Sequence, residues 1–194
     1  MLVASNRAKF EADFEYVKDH IIQFFNKGSV CRALDLIDEV GITGWEKWWQ
    51  VELAAWLAEH DGIGDWAMEE VFFTDLRRKT NKDTIAIDIG FRIKGCSTKE
   101  MLFLELKQNS DWRRCIENML ADVEKVYSAQ TYSVDNKIMI RNFFVVGVYP
   151  TGDTTKKSIH DYIEARAEEL EIPFDRQHIF TKFIKDTPFS VTVF

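Results

Sequence analysis

Cysteine is scarce in this chain: Cys31, Cys96 and Cys115 are odd in number, lie far apart and form no Cys-x-x-Cys pair. Such a set supports neither a disulfide framework nor a zinc ribbon. The four histidines, His20, His60, His160 and His178, are equally dispersed, so any metal is expected to be a hard one held by oxygen. Long apolar runs are missing too. The longest are of strand length, short of the roughly 20 residues of a membrane span, and residues 1–10 lack the pattern of a secretory leader. The expectation is a cytoplasmic protein with no membrane contact. Positive charge is in the minority, with 25 Lys and Arg against 32 Asp and Glu and a formal net charge of -7. Affinity for a phosphate backbone comes largely from Lys and Arg displacing counterions. General coating of nucleic acid is therefore excluded, whereas a local basic strip is not.

What is present is ordinary for a globular chain, with 46% hydrophobic and 29% charged residues over 194 positions, enough for a sizeable core. A single domain over residues 1–194 is expected. Residues 6–27 read as a helix with Phe10, Phe14, Val17, Ile21 and Phe24 or Phe25 at helical spacing. Ser29 opens a second helix that Gly41 stops. Residues 44–60 form an amphipathic helix whose apolar stripe reads Trp45, Trp48, Trp49, Leu53, Trp56 and Leu57. Glu52 stands four residues from both Trp48 and Trp56, inside that stripe, where a carboxylate is costly unless it is paired or binds a cation. Residues 66–76 read as a strand containing Glu69 and Glu70, and residues 77–82, with Arg77 and Arg78, as a basic loop. A helix over 112–128 carries Arg113 and Arg114 in its first turn, against the helix dipole. Residues 142–149 are apolar throughout, as in a strand covered on both faces. A helix from Thr154 or Thr155 to about Leu170 has Lys156 and Lys157 at its start, and 179–184 with 189–194 form edge strands or a terminal hairpin.

The stretch 83–108 holds the charged groups of most interest. In 83–93, Ile85, Ile87, Ile89, Phe91 and Ile93 alternate with polar or small residues, which sets Asp88 on the face opposite the isoleucines. In 101–108, Leu102, Leu104 and Leu106 share one face, and Phe103, Glu105 and Lys107 the other. If 94–100 turn an antiparallel hairpin, Asp88 falls opposite Glu105 or Leu106, with Cβ atoms roughly 5 Å apart. Two carboxylates that close repel unless one protonates or a cation lies between them. The plain alternative is a surface strand on which Glu105 and Lys107 form an ion pair. Ala86 and Gly90 beside Asp88 point instead to room for a ligand.

The order helix, three strands, helix, strand, helix, with Glu52, Asp88 and Glu105-Leu106-Lys107 at these places, resembles the PD-(D/E)XK, or restriction-endonuclease-like, nuclease superfamily over residues 44–170. Ile87 stands where the family name has proline. The resemblance implies an α/β fold whose restriction-endonuclease-like core (44–170) is a mixed central β-sheet flanked by helices, with a helical extension over 1–43 and C-terminal strands over 171–194. It also implies a metal-dependent deoxyribonuclease. Asp88, Glu105, the Leu106 carbonyl and Glu52 would ligate Mg²⁺ or Mn²⁺, and Lys107 would orient the attacking water. Glu70 and Gln108 are candidates for support, and Arg77, Arg78, Arg113, Arg114, Lys156 and Lys157 for phosphate binding. DNA is the expected partner, and a homodimer is implied because many such enzymes cut two strands. The second expectation, favoured by the acidic balance, is a catalytically idle nuclease-fold module that binds a protein partner.

Overall fold

A computed structural model describes residues 2–74, 83–135 and 137–194, with five helices and seven strands. The strand order is β3-β2-β1-β4-β5-β7-β6, with β3 also paired to β5. Neighbours in that order run antiparallel. The class is α/β, as the alternating and apolar runs imply. The chain divides into two compact units: residues to Glu46, Lys107–Leu120 and Val146–Phe194 make the first, and Lys47–Leu106 with Ala121–Val145 the second. Basic residues Arg77 and Arg78 lie outside the described residues.

In the first unit, α1 (Leu2–Phe24) buries Phe14, Val17, Ile21 and Phe24, the helical row expected of it. Phe10 and Phe14 meet the His178 ring edge-on at 4.8 and 5.6 Å. α2 (Gly28–Val40) ends at Gly41, whose φ of +71° is open to glycine at no steric cost. α5 (Lys156–Glu169) starts at a capping box in which Thr155 and Ser158 bond each other's backbone N–H. β6 (Phe180–Phe183) and β7 (Phe189–Val193) form the terminal hairpin, and β7 pairs with the later half of β5 (Met139–Pro150). In that half, residues from Val146 to Tyr149 are buried, as a strand covered on both faces requires.

Gly147 is part of this packing. A Cβ there would lie 2.3 Å from Met119 Sδ and 3.0 Å from Cys115 Sγ, both on α4 (Trp112–Tyr127). Gly147→Ala is expected to destabilise the protein by about 1–3 kcal/mol, the usual range for overpacking. Urea denaturation of the variant checks this, and an unchanged midpoint would refute it.

In the second unit, α3 (Glu46–Glu59) is followed by β1 (Ile63–Thr74), β2 (Thr84–Ile93) and β3 (Glu100–Gln108), each antiparallel to the one before it. β4 (Ala129–Ser133) then pairs with both β1 and β5. Its sequence, AQTYS, lacks an apolar alternation, so pairing alone makes it a strand. Because β3 also joins β5, the pairings close into a ring, β1-β2-β3-β5-β4. The bonds flanking the β3–β5 pairing run from Met139 N–H to the Lys99 carbonyl (2.7 Å) and from Asn109 N–H to the Val148 carbonyl (3.4 Å). They advance together along both strands, which is the parallel sense. Phe72, Ile85, Ile87, Met101, Phe103 and Val126 form the buried cluster of this unit.

α3 buries Trp49, Gln50, Leu53, Ala54 and Leu57. The buried stripe thus follows the Trp49-Leu53-Leu57 row. Trp48, Glu52 and Trp56 form a neighbouring, half-buried row.

Candidate functional site

The β2–β3 register pairs Ile89 with Leu104, Gly90 with Phe103 and Phe91 with Leu102. Continued by one residue, it sets Asp88 opposite Glu105, one of the two placements the hairpin allowed. The Asp88 carboxylate reaches across the strands, and its Oδ2 accepts the Leu106 N–H at 2.8 Å. A side chain thereby takes over a backbone group of β3 at the point where the two carboxylates face each other. Gly90 does not leave space for a ligand: a Cβ there would lie 2.6 Å from the Phe103 ring, which already fills the position.

β1 adds a third carboxylate to the row. Its register pairs Met68 with Ile89 and Glu70 with Ile87, so Glu69 stands opposite Asp88. Glu69 has a φ of +55°, in the left-handed region that costs a non-glycine residue roughly 1–2 kcal/mol. Strain of this kind is retained where surrounding contacts impose it, and here they are specific. The Lys47 ammonium donates to Glu69 Oε1. Gln50 Nε2 lies 3.4 Å from the same oxygen, 3.3 Å from Asp88 Oδ1 and 3.1 Å from the Asp88 carbonyl. One buried amide therefore bridges two carboxylates. The Lys47 bond, reinforced by Gln50, holds the half-exposed Glu69 carboxyl below its usual range despite partial burial.

Glu105 is the most buried member, at 3% exposure. Burial first, then the Asp88 and Asp122 carboxylates, push its carboxyl up to about 7, against the opposing pull of Lys125. Lys125 Nζ donates to Glu105 Oε1 at 2.8 Å and lies 3.7 Å from Asp122 Oδ1, one turn earlier on α4. The opposed carboxylates account for part of this shift, as the hairpin geometry anticipates.

Comparison with protein-family models, with curated proteins and with solved structures gave no match.

Of the residues singled out in the sequence, Asp88 and Glu105 come together. Lys107 follows on β3, half-buried, and its charge acts on the buried Cys115 thiol, which burial pushes upward. The backbone N–H of Gln108 donates to Glu46 Oε2 at 2.9 Å. Glu52 is not the α3 residue at Asp88. That place belongs to Gln50, and two residues at about 100° each put Glu52 some 200° away around the helix. Glu70 is set apart from this row: burial first, and then the Asp135 carboxylate, raise its carboxyl, while Ser133 and Lys137 pull it down. Gln50, Glu69 and Lys125 were not legible as site residues. Only Glu69 left a trace, as a carboxylate inside a predicted strand.

The basic candidates that can be placed have partners of their own. The Arg113 guanidinium lies 4.5 Å over the Trp112 ring, Arg114 is 3.6 Å from Glu117, Lys157 is 2.5 Å from Asp161, and Lys156 lies 5.5 Å from the Phe183 ring. Arg113 lines a groove of about 620 Å³ with Trp112, Asp153, Thr154, Ser158, Asp161 and Tyr162. Two carboxylates in that lining oppose its use as a phosphate cradle. Among the described residues, no three His, Cys, Asp or Glu side chains gather as a metal-binding group, and no helix is long and apolar enough to cross a membrane.

Proposed function

We propose that the protein is a metal-dependent nuclease that hydrolyses DNA phosphodiester bonds, with a restriction-endonuclease-like core. The observation that carries this reading is the placement of Asp88 opposite Glu105 on adjacent strands, with Lys107 two residues beyond Glu105 in the sequence. The order of α3, β1, β2, β3, α4 and β5, with β5 rejoining β3, supports it.

The donor set fits a hard cation. Mg²⁺ usually binds through one or two carboxylates together with waters and substrate phosphates, and Asp88 and Glu105 supply two carboxylates whose repulsion a cation relieves. They would hold Mg²⁺ or Mn²⁺ with the Leu106 carbonyl, and the ion would supply Lewis-acid stabilisation to the scissile phosphate. The chain's own contributions are then separable. Gln50 fixes the Asp88 carboxylate, and burial keeps bulk water from Glu105. Lys107 would orient the attacking water and stabilise developing charge on the phosphoryl oxygens.

Lys107→Ala is expected to lower cleavage of linear and circular duplexes by at least about 10²-fold, the usual cost of losing one electrostatic stabiliser, with Mn²⁺ affinity retained. A gel assay with duplex, single strand and RNA checks this. Activity at the wild-type level in the variant would remove Lys107 from the site.

A second reading rests on Lys125, whose ammonium already neutralises Glu105. In an idle nuclease-fold module that binds a protein partner, this ion pair would be the permanent state of the site. Calorimetry with Mn²⁺ separates the two readings: heat of binding that disappears in Asp88→Asn favours the nuclease, and none in the wild type favours the module.

A further inference from the structure

We propose that Lys125 is a built-in counter-ion for Glu105 that a divalent cation must displace, so that this lysine sets the metal affinity of the site. The inference rests on the metal-binding reading of Asp88 and Glu105. A carboxylate as buried as Glu105 requires a compensating charge, and Lys125 Nζ, 2.8 Å from Oε1, supplies it. The two partners differ in freedom. The Glu105 side chain is 4% exposed and held on β3, whereas that of Lys125 is 35% exposed on a flexible four-carbon stem.

Asp122 gives the displaced amine a destination. Its Oδ1 lies 3.7 Å from Nζ on the preceding turn of α4, so the ammonium can shift toward Asp122 and solvent while the cation takes the Glu105 oxygen. No covalent bond is made or broken: at the ionised carboxylate one cation replaces another. The function assigned to the lysine is to keep the metal-free site compensated and to hold affinity low enough that cation occupancy follows its concentration.

Two substitutions move the affinity in opposite directions if this is right. Lys125→Met removes the competitor and is expected to tighten Mn²⁺ binding about tenfold, a change of about 1.4 kcal/mol. Lys125→Arg offers a planar fork that can hold the carboxylate by two bonds and is expected to weaken binding by a similar factor. Free Mn²⁺ in titrations of the purified full-length proteins, followed by electron paramagnetic resonance, measures both. Thermal midpoints in chelator and in Mn²⁺ give a second readout, in which Mn²⁺ should raise the midpoint of Lys125→Met more than that of the wild type. Should Lys125→Met not fold, the weakening in Lys125→Arg decides the question. Wild-type binding with equal affinity in the variants, or weaker binding in Lys125→Met, overturns the displacement and leaves the metal site standing. If neither the wild type nor either variant binds Mn²⁺, both the metal reading and this inference are wrong.

Discussion

Asp88→Asn is expected to leave a folded protein that cleaves DNA at least about 10³-fold more slowly than the wild type at a Mn²⁺ concentration that saturates the wild type, a loss of about 4 kcal/mol of transition-state stabilisation. Asn is the informative replacement because it is isosteric and neutral. The Asp88 carboxylate accepts the Leu106 N–H and lies within bonding distance of the Gln50 amide, and an Asn oxygen can still satisfy one of these donors. Ala would strip both and mix a stability effect into the kinetics. What Asn lacks is the second anionic oxygen through which a divalent cation would be held. Circular dichroism and a thermal midpoint establish the fold, and a single-turnover assay measures the rate. Wild-type cleavage by the folded variant would sink the nuclease reading, whatever else the site binds.

The second large effect is on stability and concerns Glu105. Its carboxyl is raised from an ordinary 4.5 to about 7, so between these values the folded protein holds a proton that the unfolded chain has released. Stability therefore falls as pH rises through this window. The penalty is absent below pH 4.5 and complete above about pH 7. An interval of about 2.5 pH units at about 1.36 kcal/mol each comes to about 3 kcal/mol. Glu105→Gln keeps the shape and removes the charge, so in metal-free buffer it is expected to be more stable than the wild type at pH 8 and to lack this part of the pH dependence. Urea denaturation of both proteins in chelator at pH 5 and pH 8 measures the difference. Parallel pH profiles would show that burial and the facing carboxylates do not govern this group. The sign is opposite to that of an ordinary salt-bridged carboxylate, because here burial and like charge outweigh the Lys125 bond.

The hairpin was legible because a strand alternates with a period of two and a short connection limits the register. Seven residues between Ile93 and Met101 leave little choice about what faces Asp88, and the structure selected Glu105. Helix positions were harder. The tryptophans of α3 recur on two adjacent rows, and both satisfy helical spacing. The row with Leu53 and Leu57 is buried, which brings Gln50 to Asp88 and leaves Glu52 on the half-buried side. Basic residues in the first turns of α4 and α5 suggested phosphate sites, but Trp112, Glu117, Asp161 and Phe183 are their neighbours.

The sequence by itself determined the α/β class and the β2–β3 hairpin and narrowed the residue facing Asp88 to Glu105 or Leu106, because each follows from periodicity and short connections. Only the tertiary structure decided what surrounds those carboxylates. Gln50 and Lys125 come from separate helices, and Glu69 from a distorted position on β1. No local pattern marks them, since their proximity depends on how the whole unit packs. That packing also raises the Glu105 carboxyl to about 7, a property of burial and neighbouring charge that no reading along the chain contains.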